Sequence, residues 1–298
     1  MSSELGPTKM RIGIVGYGKL GRYMAHAILE DEKVAAQAEI AFVWNRSAAA
    51  LAEDEMLPVS THLADLADFE SRGATLIVEV AHPSISRDWG ARFLESADYM
   101  VGSPTALADP ALESLLREAA ASNGGNHGLF IPSGALWGAQ DILKMAQRGL
   151  LASLSVTMRW DPASLKTVSG AVAEGRDRAI ANAAAGDLSP VTIFDGSVRD
   201  ISPLAPNNVN TMAAAALAAT SLGFDGTRAV LIGDTTLDAH IIEVVAVGHP
   251  RPSGDCFRVT STRHNPAAKG AVTGSATYIS FVSSMVLAGG RGRGFHFC

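Results

Sequence analysis

The run Ile12-Gly13-Ile14-Val15-Gly16-Tyr17-Gly18-Lys19-Leu20-Gly21 decides the fold of the first half of this chain. On its left, Arg11 to Gly16 is a short β-branched stretch of the kind that forms a parallel strand buried on both faces. On its right, Leu20, Met24, Ala27 and Ile28 recur at helical spacing and make one apolar stripe. Between them, Gly16-x-Gly18-x-x-Gly21 has the strand-turn-helix context that raises this glycine pattern above chance. Gly16 permits the tight turn, Gly18 lets a pyrophosphate approach the backbone, and Gly21 lets helix and strand pack closely. Bound phosphates would meet free N–H groups and the positive end of the helix dipole. Gly16, Gly18, Lys19, Leu20 and Gly21 are therefore candidate dinucleotide-binding residues. The plainer alternative is an ordinary glycine-rich turn.

Reading outward, Ile40 to Trp44 is the next strand, followed by Asn45-Arg46-Ser47. A carboxylate at that point would bind a ribose 2′-hydroxyl and favour NAD, but no Asp or Glu is present. Asn45 can hydrogen-bond a hydroxyl, and Arg46 with Ser47 could hold a 2′-phosphate, so the expected cofactor is NADP or NAD. A solvated loop arginine is the plainer reading of Arg46. Thr75 to Val80 is a later strand, and Glu79-Val80-Ala81 ends at the carboxyl edge, where open α/β sheets bind ligands. Ala91 to Ala97, Leu112 to Ala121 and the strand-like Gly128 to Ile131 continue the alternation. The fold expected for residues 9–135 is a Rossmann-type doubly wound parallel sheet.

The texture changes near Ser133. Leu154 to Trp160, Val191 to Phe194, Ala229 to Ile232, Ile241 to Val247 and Phe257 to Ser261 read as strands without a helix between every pair. One helix, about Asn210 to Leu222, interrupts them and is closed by Gly223. This is an α+β domain with an open mixed sheet, assigned to residues 136–264. The apolar stretch Ala271 to Leu287 reads as a helix, so residues 265–288 are expected to return to the first domain. Residues 289–298, rich in Gly and Arg, are expected to be a mobile tail.

Composition narrows the function classes. With 298 residues and 47% hydrophobic content, the chain has material for two cored domains. A net charge of −6 argues against a nucleic acid or an anionic membrane as partner. The two cysteines, Cys256 and Cys298, give neither a metal spacing nor a disulfide framework, which suits a reducing compartment. No metal site is expected. Met1 to Met10 lack the apolar core of a signal peptide. The longest apolar stretch, Met212 to Ala219, is far short of the ~20 residues of a membrane span. The cytoplasm is the simplest address.

Several blocks together resemble the aspartate dehydrogenases, a family similar in architecture to homoserine dehydrogenase and dihydrodipicolinate reductase. They are Val78-Glu79-Val80-Ala81-His82-Pro83, Ile131-Pro132-Ser133-Gly134-Ala135, Pro206-Asn207-Asn208-Val209-Asn210, Gly233-Asp234-Thr235 leading to His240, and Asn265-Pro266. They occur in the family's order over residues 10 to 288. Ser133-Gly134-Ala135 follows the last Rossmann strand and could be a bare interdomain turn. Asn208 and Asn210 precede an Ala-rich helix and could be simple caps. The resemblance implies that Ala135 and Asn210 contact the dinucleotide; Ala81, at the carboxyl edge of the sheet, joins that set.

The resemblance also singles out His240 as the catalytic residue. A lone histidine is more often a satisfied core or loop residue, and His26, His62, His127, His249 and His296 read that way; His82 and His264 adjoin site segments. In the family the catalytic histidine typically follows Asn and one apolar residue, whereas here it follows Asp238-Ala239. The implied reaction is reversible oxidative deamination of L-aspartate to oxaloacetate and ammonia through iminosuccinate. An imidazole titrating near neutrality could activate the attacking water. Arg159, Lys166 and Arg263 are candidates to hold the substrate carboxylates, with surface solvation as the alternative for each. The partners expected are this small substrate and a second copy in a homodimer. The rival readings are a related small-substrate dehydrogenase or imine reductase, and a catalytically silent NADP(H)-binding sensor or scaffold.

Overall fold

A computed structural model describes residues 9–121, 126–166, 168–270 and 275–298. The expectation about a leader falls largely on residues 1–8, which lie outside the described residues. The first strands are β1 (Met10–Val15), β2 (Ala38–Trp44), β3 (Leu76–Glu79), β4 (Asp98–Val101) and β5 (Gly128–Ile131). A second series follows, with β6 (Leu151–Trp160), β7 (Val191–Ser197), β8 (Thr227–Gly233), β9 (Ala239–Gly248) and β10 (Arg258–Pro266). The last strand is β11 (Gly294–Phe297).

The first sheet has the order β11-β5-β4-β3-β1-β2 and is parallel throughout. β3 and β5 are buried at every position, as a strand covered by helices on both faces must be. The helix Lys19–Glu30 covers one face through Met24, Ala25 and Ile28, and Pro110–Ala121 buries Leu112, Leu116 and Ala120. The second sheet, β10-β9-β6-β8-β7, is mixed, because β6 and β8 are parallel while the other pairs are antiparallel. From Leu154 onward β6 alternates buried and half-buried residues, the pattern of a sheet with one covered face. A Rossmann-type parallel sheet and a mixed α+β sheet are thus the two parts of the architecture.

Four differences from the sequence reading have physical causes. The segment expected to be a mobile tail supplies β11: the free edge of β5 takes it as a sixth strand, Phe297 is buried, and His296 stacks on Phe130 at 5.0 Å. The Ala-rich helix ends at Ala218 rather than Leu222, and Gly223, at φ 60°, begins a separate short turn. A long helix, Gly170–Ala184, went unread because few apolar residues mark its stripe. Gly175 sits where a Cβ would crowd Ile193 of β7, so close approach replaces side-chain packing there. β10 runs on to Pro266, which places Arg263, His264 and Asn265 inside the sheet. The C-terminal helix is Ser275–Ala288; the expected start at Ala271 lies outside the described residues.

Two helices help to join the halves. The helix Asn210–Ala218, buried at every position after Asn210, packs on the Pro104–Ala108 turn of the first half and on the helix Ala139–Gln147. Its alanines let these backbones come close. The helix Ser275–Ala288 returns to the helix Lys19–Glu30, where Tyr278 and Tyr23 stack at 5.4 Å. No helix among the described residues is long and apolar enough to cross a membrane.

Candidate functional site

The glycine loop leaves β1 with Gly16 at φ 112°, a conformation an L side chain resists. A Cβ on Gly16 would meet Ala81, and one on Gly21 would run into the Gly16 carbonyl. Gly18 differs: its φ is −76° and a Cβ there would face open space. Gly18 caps the helix Lys19–Glu30, whose N-terminus has no side-chain cap and no acidic residue in its first turn. The arrangement leaves an open cradle at a positive helix end, which fits an anionic pyrophosphate.

Tyr17 points the other way. Its hydroxyl donates to Asp54 at 2.8 Å, and the same carboxylate oxygen lies 2.8 Å from His26 Nε2 and 3.5 Å from Arg22. Burial alone would raise the Asp54 carboxyl; the hydrogen bonds from His26, Tyr17 and the Met56 N–H outweigh it and hold it below its ordinary range. Asn45 is occupied as well: its Oδ1 accepts from Tyr17 N at 3.1 Å and its Nδ2 donates to Ser47 O at 3.0 Å. Asn45 therefore shapes the loop after β2 and leaves Arg46 and Ser47 exposed. Arg46 has no hydrogen bond or ion pair among the described residues.

At the carboxyl edge, Glu79 is fully buried at the end of β3. Its Oε1 accepts from Ala81 N (2.7 Å), His82 N (2.8 Å) and Ser103 Oγ (3.1 Å), and its Oε2 from Ser103 N (2.9 Å). Burial pushes its pKa up to about 7, and the four donors restrain the rise. One side chain thus joins the loops that follow β3 and β4. His82 is exposed and caps the helix Pro83–Ser96, accepting from Ser84 N at 3.2 Å.

A cleft lies between the two sheets. Of the residues expected from sequence, Leu20, Ala135, Asn210 and His240 line it together. Gly16, Gly18, Lys19, Gly21, Asn45, Arg46, Ser47 and Ala81 do not, lying in the loops and the first helical turn at the carboxyl edge of the first sheet. Gly134 adopts φ 55° in the turn before Ala135, and Ser133 N and Oγ both donate to the Cys298 main-chain oxygen, at 2.7 and 2.9 Å. The Asn-rich block does not cap its helix. Val209 holds the cap position; Asn208 Nδ2 donates to Ser164 O at 3.2 Å, and Asn210 Oδ1 accepts from Thr105 Oγ1 at 3.2 Å. Asn210 thereby ties the two halves of the cleft, while Asn208 holds the Pro162–Ser164 turn within the second half.

His240 is the second residue of β9 rather than part of the loop before it, and only 6% of it is exposed. It pairs in register with Asn265 of β10, and the Trp160 ring meets it edge-on at 4.6 Å and 88°. Both neighbours also line the cleft. An imidazole held by a strand and an aromatic wall is fixed in orientation, which proton transfer to a bound molecule requires. Of the three candidate cations, Arg159 faces Asp234 at 3.9 Å and Lys166 is exposed. Arg263 is half-buried, and its Nη1 donates to Gly134 O at 3.3 Å.

Sequence reasoning missed Trp160, Thr105 and the C-terminal helix residues Thr277 and Phe281, of which Trp160, Thr277 and Phe281 line the cleft. Trp160, at the end of a strand read correctly, offered a signal. Thr105 offered none, because its partners lie about a hundred residues away.

Comparison with known proteins adds an independent line. Residues 141–284 match the family model of the aspartate dehydrogenase C-terminal domain, and residues 16–128 that of the homoserine dehydrogenase NAD-binding domain. The chain is 45% identical over 294 residues to an aspartate dehydrogenase domain-containing protein of Xenopus tropicalis, covering 97% of this chain and 98% of that one. It is 30% identical over 239 residues to an L-aspartate dehydrogenase of Brucella anthropi, covering 80% and 82% of the two chains. In fold it is similar to an aspartate dehydrogenase from Thermotoga maritima, with a TM-score of 0.64, 17% identity and 94% of each chain covered.

Proposed function

The chain belongs to the aspartate dehydrogenase family, an NAD(P)-dependent oxidoreductase family, and from that membership we propose that it converts L-aspartate, NAD(P)⁺ and water to oxaloacetate, ammonia and NAD(P)H, reversibly. The observation that carries the proposal is the cleft itself. His240, Ala135, Asn210 and Leu20 meet in it, one turn of chain from an open glycine cradle.

In this reading Gly16, Gly18, Lys19, Leu20 and Gly21 would hold the pyrophosphate. Asn45, Arg46 and Ser47 would take the ribose end, and Ala81, Ala135 and Asn210 the nicotinamide end. When bound, the nicotinamide supplies the acceptor for the hydride that leaves the substrate Cα. The chain's work is to bring the reacting atoms together and move protons. Ser133-Gly134-Ala135, anchored through Ser133, sets one wall, and Asn210, anchored to Thr105, sets another. His240 takes a proton from the water that attacks the Cα=N carbon of iminosuccinate and returns it to the departing amine. Trp160 at its edge keeps that wall of the cleft apolar.

Turnover of a panel of amino acids with NAD⁺ and NADP⁺ tests the proposal. L-Aspartate should be the preferred substrate and oxaloacetate the product. Preference for another amino acid or a cyclic imine would point to a related dehydrogenase. Tight NADPH binding without turnover of any of them would point to a sensor.

A further inference from the structure

We infer that Arg263 is the group that receives a carboxylate of the substrate, an inference that rests on reading the cleft as an amino-dicarboxylate site. The register between β9 and β10 carries the first step. Asn265 stands opposite His240 and Arg263 opposite Ile242, and directly opposed residues share a face of the sheet. His240, Ile242 and Asn265 all line the cleft, so Arg263 rises from the same face.

The second step is charge. Among the described residues, no Lys, Arg, Asp or Glu side chain lines the cleft. A dicarboxylate entering it loses water and needs a cation at the rim. Arg159 and Lys269 already face carboxylates, Asp234 at 3.9 Å and Asp161 at 3.6 Å. Arg263 has no carboxylate within 4 Å among the described residues.

The third step is hydrogen bonding. Arg263 is half-buried, and burial draws its guanidinium below its ordinary value. A guanidinium carries five N–H donors. Among the described residues one of them is used, on the neutral Gly134 carbonyl at 3.3 Å, and Gly134 is a wall residue of the cleft. A bound carboxylate would replace that long bond by a charge-assisted fork and neutralise a half-desolvated cation. The bond to Gly134 meanwhile parks the guanidinium at the cleft wall.

The test uses the full chain with Arg263→Met and Arg263→Lys, and succinate as a non-reacting probe. Succinate is titrated calorimetrically into protein saturated with NADP⁺, alongside kinetics with L-aspartate and thermal melting. In Arg263→Met, succinate affinity should fall about 10- to 100-fold, the usual range for losing hydrogen bonds to a charged group. KM for L-aspartate should rise more than kcat falls, with NADP⁺ affinity within twofold of wild type. Arg263→Lys should recover part of the loss, because it keeps charge but not the fork. Succinate and aspartate constants within threefold of wild type in a folded Arg263→Met protein would overturn the inference, as would losses that follow only a lowered melting temperature. Arg263-dependent succinate binding without aspartate turnover would keep the assignment and refute the proposed reaction. Wild-type turnover indifferent to Arg263 would do the reverse.

Discussion

Glu79→Gln offers a measurable consequence of burying a carboxyl beneath the site. Glu79 has no exposed surface, and its pKa rises from 4.5 to about 7, with burial as the largest cause. Because the folded value lies above the unfolded one, the contribution to stability is complete below pH 4.5. It is lost as pH rises toward and through about 7, since the unfolded chain then gives up its proton more readily than the folded one. At about 1.4 kcal/mol for each tenfold change in proton affinity, the full loss is about 3 kcal/mol. Glu79→Gln carries no titrating group, so its unfolding free energy should lack this fall between pH 4.5 and 8. The glutamine should also be weaker where the carboxyl is ionised, because whichever oxygen its NH₂ replaces now accepts from a backbone N–H. Urea unfolding across that range gives the difference between the two proteins. Hydrogen exchange at the amides of Ala81, His82 and Ser103 localises it, since those N–H groups bond the carboxyl. Parallel pH profiles for wild type and Glu79→Gln would refute the reasoning, as would a difference that grows with pH in the opposite direction.

Three further outcomes are expected. Gly18→Val should fold, because the backbone there suits an L residue and the added side chain meets open space, yet it should weaken dinucleotide binding at least tenfold by filling the cradle; Gly21→Ala should instead lower the melting temperature, because its Cβ strikes the Gly16 carbonyl. Titration with NADP⁺ and NAD⁺ checks the first and thermal melting the second, and unaltered affinity in folded Gly18→Val would remove the cradle from the site. Arg46→Asp should weaken NADP⁺ while sparing NAD⁺, because a carboxylate repels a 2′-phosphate; an unchanged ratio of the two affinities would show that Arg46 does not read the ribose. His240→Ala should cut aspartate oxidation by roughly 10²–10⁴ and remove one limb of the kcat/KM pH profile while cofactor affinity holds, with His82→Ala costing far less because His82 caps a helix.

The first half was legible because its elements are built from local rules. A β-branched strand, a glycine turn and an amphipathic helix announce themselves within a dozen residues, and β1 and the helix Lys19–Glu30 fall where the pattern placed them. The helix Gly170–Ala184 was illegible for the complementary reason: it packs through Gly175 against β7, and a missing side chain leaves no periodic trace. β11 hid behind a glycine- and arginine-rich run that reads as solvent-loving. Only the free edge of β5, far away in sequence, gives Phe295 and Phe297 a reason to form a strand. In the cleft, the resemblance located His240 and Asn210, but their supports needed three dimensions. Thr105 reaches Asn210 across 105 positions, and Trp160 closes on His240 from another strand.

The nucleotide-binding sheet takes five strands from residues 10–131 and its sixth from residues 294–297. Synthesis and assembly therefore run in different orders. A ribosome finishes the whole mixed-sheet half before it delivers the strand that closes the half made first. Until then the β5 edge stands open, with its N–H and C=O groups exposed to any other strand, and Ser133 lacks the main-chain oxygen that receives both of its hydrogen bonds. The same wiring makes residues 9–135 a poor unit to excise. Cut there, the fragment would carry an unpaired strand edge and a loosened cleft wall, although every residue of its glycine loop would remain.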